Sequence, residues 1–126
     1  MKYTLSVDKT FSAAHALRGY KGKCERLHGH TWKVQLSVSG SSLNKLGMLL
    51  DFHKLKKYLD QIISLLDHSH INIVKPFVKT NPTAENIAAY IFEMLEKKLA
   101  KHIKGGLSLD FVEVWESESS SVKVSR

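Results

Sequence analysis

Cysteine is nearly missing from this sequence: Cys24 is the only one. A single thiol cannot close an internal disulfide, so Cys24 is a core residue, a metal ligand or a reactive group. Long hydrophobic runs are missing as well. Apolar runs such as those at residues 47–50 and 62–66 fall far below the ~20 residues a helix needs to cross a bilayer. The first residues after Lys2 alternate instead of forming an apolar block, so they do not read as a signal peptide. A cytoplasmic protein without membrane partners is the expectation. Nucleic-acid signatures are equally scarce, with no aromatic RNA-binding motif and no helix-turn-helix pattern. Proline occurs only twice, at Pro76 and Pro82, and both positions disfavour a continuous helix between residues 67 and 82.

What is present fits one domain over residues 1–126. The length of 126 residues and the hydrophobic fraction of 43% are enough for a core that needs neither metal nor disulfide to form. The net charge of +7 suits an anionic partner, either nucleic acid or a phosphorylated small molecule. Lysines 54, 56, 57, 97, 98, 101 and 104 fall on the polar faces of expected helices, where solvation alone accounts for them.

Tyr3, Leu5 and Val7 alternate with Thr4, Ser6 and Asp8, the period of a half-buried strand that can run through Phe11 to His15. Residues 16–27, with Gly19 and Gly22, break the periodicity and read as an exposed loop. Alternation returns at Trp32, Val34, Leu36 and Val38 and ends at Gly40–Ser41. Asp51 can cap a helix carrying Phe52, Leu55, Leu59, Ile62, Ile63 and Leu66 on one face. A second helix is predicted to start near Pro82–Glu85, to bury Ile87, Ala88, Ile91, Phe92, Leu95 and Leu99, and to end at Gly105–Gly106. Leu107, Leu109 and Phe111 alternate in one phase, and Val112 and Val114 in the other. That flip predicts a bulge near Phe111–Val112. The last strand is Val122–Val124. The order ββααββ implies an α+β domain, a four-stranded antiparallel sheet with two helices on one face.

The densest chemistry is Cys24-Glu-Arg-Leu-His28-Gly-His30, with His15 upstream. Residues i and i+2 of a strand share a face, so His28 and His30 can converge on one ion. If the first two strands form a hairpin, His15 joins them. Three neutral imidazoles on zinc leave a position for water or substrate, whereas Cys24 as a fourth ligand would close a structural site. A free Cys24 beside the dication would favour its thiolate. Gly29 keeps the backbone between the ligands slim. Asp67-His68 reads either as an oriented acid–base pair or as a plain helix end. His53, His70 and His102 read as surface residues, and Glu116 by itself as an exposed glutamate.

Taken in order, Phe11-Ser-Ala-Ala-His15, Cys24-x-x-x-His28-Gly-His30, Gly47-Met-Leu-Leu-Asp51-Phe52, Leu66-Asp67-His68, Pro82-Thr-Ala-Glu85-Asn86 and Val114-Trp-Glu116 resemble the 6-pyruvoyl-tetrahydropterin synthase / 6-carboxytetrahydropterin synthase family over nearly the whole chain. The resemblance implies the tunnelling fold, with His15, His28 and His30 as zinc ligands. It implies Cys24, Asp67 and His68 as the catalytic triad, Glu116 as the pterin anchor, and Thr83 and Glu85 lining the substrate pocket. Helix capping explains Thr83 and Glu85 about as well. It further implies trimers stacked as a homohexamer, with active sites between subunits, so that Asp67 and His68 can face a neighbour's Cys24. Three residues between Cys24 and His28 resemble the bacterial carboxy-forming enzymes of queuosine biosynthesis, and the animal biopterin-forming enzymes have a longer gap. A branch with glutamate in the cysteine's role is disfavoured by Cys24 itself and by Leu27 before His28. The implied reaction converts 7,8-dihydroneopterin triphosphate to 6-carboxy-5,6,7,8-tetrahydropterin, with release of acetaldehyde and triphosphate. The alternatives are elimination to the 6-pyruvoyl product and, from another class, a non-catalytic zinc-stabilised nucleic-acid-binding module, whose mark would be steep salt dependence.

Overall fold

A computed structural model describes residues 1–126. Strand β1 (Tyr3–His15) and strand β2 (His28–Gly40) form a long antiparallel hairpin whose register runs unbroken from Tyr3 opposite Gly40 to His15 opposite His28. Helix α1 (Phe52–Ile63) follows, then the two-residue strand β3 (Ser69–His70), helix α2 (Ala84–Lys98), the short helix α3 (Ala100–Lys104), and strands β4 (Ser108–Ser117) and β5 (Ser120–Val124). The sheet order is β3-β1-β2-β4-β5. This is the expected α+β fold with its helices on one face, and α1 packs on β1 while α2 packs on β4 and β5. No helix is long and apolar enough to cross a membrane.

The period-two pattern does what it predicts. Val7, Phe11 and Ala13 of β1 and Trp32, Val34, Leu36 and Val38 of β2 are buried, and they meet Leu55, Leu59 and Ile62 of α1 and Ile87, Ile91 and Leu95 of α2 in one core. Each large apolar side chain buried there contributes about 1.5–3 kcal/mol by leaving water. Trp32 is fully buried, stacks on Phe11 at 5.9 Å and donates its indole N–H to the Ala13 carbonyl at 3.3 Å. Both helix starts are capped as the sequence predicts. The Asp51 carboxylate accepts from the His53 N–H at 2.8 Å, and the Thr83 hydroxyl accepts from the Asn86 N–H at 3.2 Å.

Four features depart from the sequence reading. The sheet has five strands, because β3 adds to the outside of β1 by pairing parallel with Ala13 and Ala14. A two-residue strand carries no periodicity to detect. Phe52 is half exposed at the start of α1 and does not join the core. The bulge expected near Phe111–Val112 is present, with the adjacent Asp110 as its extra residue, and there is a second that the sequence does not predict. The register of β4 slips at Asp110 against β2 and at Glu116 against β5. At the first, the extra residue serves as an acceptor: Asp110 takes hydrogen bonds from Ser39 Oγ at 2.7 Å and Ser37 Oγ at 3.3 Å, both buried serines that otherwise lack a partner. The long second helix is also divided, since Leu99 leaves helical geometry between α2 and α3.

Candidate metal centre and adjoining cleft

The hairpin register brings the end of β1 to the beginning of β2, so His15 lies directly opposite His28 and His30 lies opposite Ala13. The imidazoles share the helix-facing side of the sheet, next to the Trp32 ring, which lies 4.9 Å from His15 and 5.3 Å from His30. A Cβ at Gly29 would meet nothing closer than the Ala13 carbonyl at 4.0 Å, so space alone does not demand glycine between the two ligands.

Backbone carbonyls orient two of the rings. His15 Nδ1 lies 2.7 Å from the Pro82 carbonyl and His28 Nδ1 lies 2.7 Å from the Arg26 carbonyl. A ring that donates from Nδ1 keeps a lone pair on Nε2, the orientation found in metal-ligating histidines. The Nε2 atoms of His15 and His30 are buried and have no hydrogen-bond partner. Leaving a buried polar atom unsatisfied costs about 1–3 kcal/mol, and a cation at their shared focus removes that cost. Burial pushes both imidazoles below their ordinary pKa, against an opposing upward pull from the Glu116 carboxylate. Deprotonated rings are the form that binds a metal.

One further ligand reaches this focus. One donor atom each from His15, His28, His30 and Glu116 lie within 4.8 Å of one another. Glu116 Oε1 is 3.4 Å from His30 Nε2, and Oε2 is 3.8 Å from His15 Nε2. The β4 bulge places it there, because the extra residue is released from pairing with β5. Imidazole nitrogens with a carboxylate oxygen form a donor set suited to a borderline divalent ion.

Glu116 also belongs to a cleft of about 320 Å³ lined with Thr83, Glu85, Leu17 and Ser121. The structure thus brings together the residues that the sequence nominates for substrate contact. Thr83 caps α2 and also lines this cleft.

Cys24 is not in the group of converging ligands. It lies half-buried in a single 3-10 turn of the 16–27 loop, and its carbonyl accepts from the Leu17 N–H at 2.8 Å. Asp67 and His68 do pair side chain to side chain, with His68 Nδ1 2.9 Å from Asp67 Oδ1. Adjacent residues manage this because His68 takes a left-handed backbone, φ 54°. The Ser12 N–H donates to the same carboxylate at 3.0 Å. That bond, followed by the His68 contact, holds the Asp67 carboxyl below the usual carboxylate range. The His68 side chain is 83% exposed, so within one chain the dyad stands apart from the imidazole cluster. Of the remaining histidines, His53 is exposed as expected, whereas His70 and His102 are half-buried, in β3 and against Tyr58.

Sequence reasoning missed the residues that hold this region in place. Asn72 makes a paired contact with Ala16, accepting from its N–H at 2.9 Å and donating to its carbonyl at 2.9 Å. Asn81 does the same for Arg18, at 2.9 and 3.2 Å. The Arg18 guanidinium then donates to the carbonyls of Asn72, Phe77 and Thr80. Asn81 before Pro82 and Thr83 signals a turn, but nothing in the sequence points to its partner 63 positions away.

The profile of the family described as 6-pyruvoyl tetrahydropterin synthase matches residues 4–126. The chain is 37% identical over 119 residues to 6-carboxy-5,6,7,8-tetrahydropterin synthase of Synechocystis sp., covering 90% of this chain and 86% of that one. It is 35% identical over 124 residues to dihydroneopterin monophosphate aldolase of Pyrococcus furiosus, covering 98% of both. The fold superposes on 6-pyruvoyl tetrahydropterin synthase of Caenorhabditis elegans with a TM-score of 0.89 and 27% identity, over 100% of this chain and 96% of that one.

Proposed function

Because the chain belongs to the 6-pyruvoyl tetrahydropterin synthase family, we propose that it is a zinc-dependent lyase of 7,8-dihydroneopterin triphosphate. With water as the second reactant, its products are 6-carboxy-5,6,7,8-tetrahydropterin, acetaldehyde and triphosphate. The observation that carries this reading is the converging His15, His28 and His30 cluster with buried, unpartnered Nε2 atoms, adjoining the cleft of Glu116, Thr83 and Glu85. The choice of the carboxy-forming reaction rests on the Cys24-x-x-x-His28 spacing and on the Synechocystis relative.

His15, His28 and His30 hold the zinc, which when bound supplies a Lewis acid toward the side-chain oxygens of the substrate. Glu116 accepts hydrogen bonds from the amino group and ring N–H of the pterin, a paired contact to an ionised acceptor that fixes the orientation of the ring. Cys24 Sγ takes a proton as thiolate, and His68, oriented through Nδ1 by Asp67, holds or returns one. His68 points into solvent in the single chain, so this chemistry is completed by a neighbouring copy within a homohexamer. Thr83 and Glu85 bound the pterin side of the cleft. The surplus of positive charge favours a triphosphorylated substrate.

The Pyrococcus relative supports a second reading, in which the substrate is a dihydroneopterin monophosphate and the reaction an aldol cleavage. Incubation with the triphosphate and the monophosphate in parallel, followed by mass spectrometry of the pterin products, separates the two. A 6-carboxy product from the triphosphate is expected. A 6-pyruvoyl product would shift the reaction to elimination, and turnover of the monophosphate alone would establish the aldolase. Absence of both, together with steeply salt-dependent nucleic-acid binding, would favour a non-catalytic zinc module.

A further inference from the structure

The imidazole cluster and the cleft share one wall, and that wall is a single carboxylate. Glu116 directs Oε1 toward His30 Nε2 at 3.4 Å and Oε2 toward His15 Nε2 at 3.8 Å, while the same side chain borders the cleft with Thr83 and Glu85. We infer that Glu116 serves two ligands in turn: in the pterin-free protein it is the fourth ligand of the ion held by His15, His28 and His30, and pterin binding draws it off that ion. The inference rests on the proposed pterin reading for its second half and on the cluster alone for its first.

The first half follows from the chemistry of the facing atoms. With Nδ1 of His15 committed to the Pro82 carbonyl, its Nε2 offers a lone pair. An ionised carboxylate offers only lone pairs. Acceptor facing acceptor at these distances is repulsive unless a cation lies between them. The buried Nε2 of His15 has no other partner, and an ion between it and the carboxylate reconciles the contact. Both Glu116 oxygens face the cluster, one for each histidine. Three imidazoles and a carboxylate make four ligands, the number that closes a tetrahedral site.

A closed site has no position for substrate, so a catalytic role requires one ligand to leave. Glu116 is the one built to move. His15 and His28 are fastened through Nδ1 to backbone carbonyls, and His30 lies inside the regular β1–β2 pairing. Glu116 occupies a bulge released from the β5 ladder and is 31% exposed. A pterin presents two adjacent donors, its amino group and ring N–H, to an ionised carboxylate, and they compete with the ion for the same two oxygens. The open coordination position therefore forms only when a pterin is seated. In the resting protein the ion is shielded from adventitious ligands.

Cobalt(II) in place of zinc reports this directly, because its visible absorption depends on ligand number and type. The probe is 6-methyl-7,8-dihydropterin, which has no side-chain hydroxyl of its own to coordinate. In the wild-type cobalt protein, saturation with this pterin, followed independently by fluorescence, is expected to change the visible bands. In Glu116→Gln the bands are expected to differ from wild type before any addition and to ignore the pterin. Zinc affinity without pterin, measured by competition with a chromophoric chelator, is expected to fall in that variant by at least about 10-fold, the lower end of what even outer contacts of a metal are worth. By linkage, the pterin should weaken zinc binding to wild type by the same factor that zinc weakens pterin binding. Unchanged cobalt bands in wild-type protein with bound pterin would overturn the exchange, whether or not the variant folds. Equal zinc affinity of the folded variant and wild type would overturn the fourth-ligand assignment. A wild-type protein that binds no pterin, while Glu116→Gln still loses zinc affinity, would overturn the exchange and the pterin reading together and leave the four-ligand site standing.

Discussion

The imidazole cluster and the Asp67–His68 dyad are both tied to the last residues of β1, yet one chain finishes them to different degrees. His15 is 1% exposed, its ring is fastened by Pro82, and its neighbours His28 and His30 arrive by hairpin register alone. The dyad is anchored just as firmly at its base, by Ser12, but ends in a His68 side chain that is 83% exposed. Both are well-formed local structures. Only the first has its working atoms aimed at other groups of the same chain. The contrast shows that a secure hydrogen-bonded base does not by itself bring a side chain into contact with other functional groups, and under the proposed function the surroundings of His68 come from a neighbouring copy.

The sharpest way to break this comparison is at the cluster. His28→Ala is expected to abolish stoichiometric zinc while leaving a folded protein, because the 23-residue core does not depend on the metal focus. Zinc by atomic absorption with circular dichroism on the same samples checks it, and full zinc occupancy in the variant would remove His28 from the ligand set. At the other region the expected loss is in turnover and not in metal. Cys24→Ala and His68→Ala should each lower the single-turnover rate by ~100- to 10,000-fold, the usual worth of general acid–base catalysis, with zinc and fold retained. If the dyad works on a neighbour, mixing and reassembling the two inactive variants should restore activity toward about a quarter of wild type, since that share of random interfaces pairs intact Cys24 with intact His68. No recovery in verified mixed oligomers would mean that the two residues act within one chain or not together. The smallest effect is on stability. The Asp67 carboxyl is held below its ordinary range, so its contribution to folding is fully present above the unfolded pKa and is lost as pH falls through the lower folded one. Urea unfolding should show Asp67→Asn less stable than wild type at neutral pH, with the gap narrowing in acid. A gap independent of pH would assign the loss to something other than the carboxylate charge.

The cluster was the more legible of the two regions, for a physical reason. Its geometry is a consequence of strand periodicity and one hairpin, and both are visible in residues 3–15 and 28–40. The caps at Asp51 and Thr83 were legible for the same reason, being local. Bulges were not. A phase change in side-chain pattern marks that an extra residue exists near Phe111–Val112, but the extra residue is fixed by the opposing strand, which puts it at Asp110. The second bulge, at Glu116, leaves no hydrophobic pattern at all among serines. Its carboxylate could therefore be nominated only as a pterin contact, and its place among the imidazoles came from the fold. The strand β3 and the asparagine contacts of Ala16 and Arg18 depend on residues more than 50 positions apart in sequence.

The paired asparagines give the loop between the first two strands an unusual mechanical division. Its first flank is fixed at Ala16 and Arg18 by side-chain amides, and the second is tied to the first by the bond from the Leu17 N–H to the Cys24 carbonyl. Residues 19–22 beyond those ties are all exposed, and a Cβ at Gly19 would touch nothing within 4 Å. Lengthening the tip would therefore leave His15 and His28 where they are, because the strain of an insertion stops at the ties. The loop can be rewritten by evolution or by an engineer, with a peptide tag or a longer recognition segment, while the residues it connects stay in register.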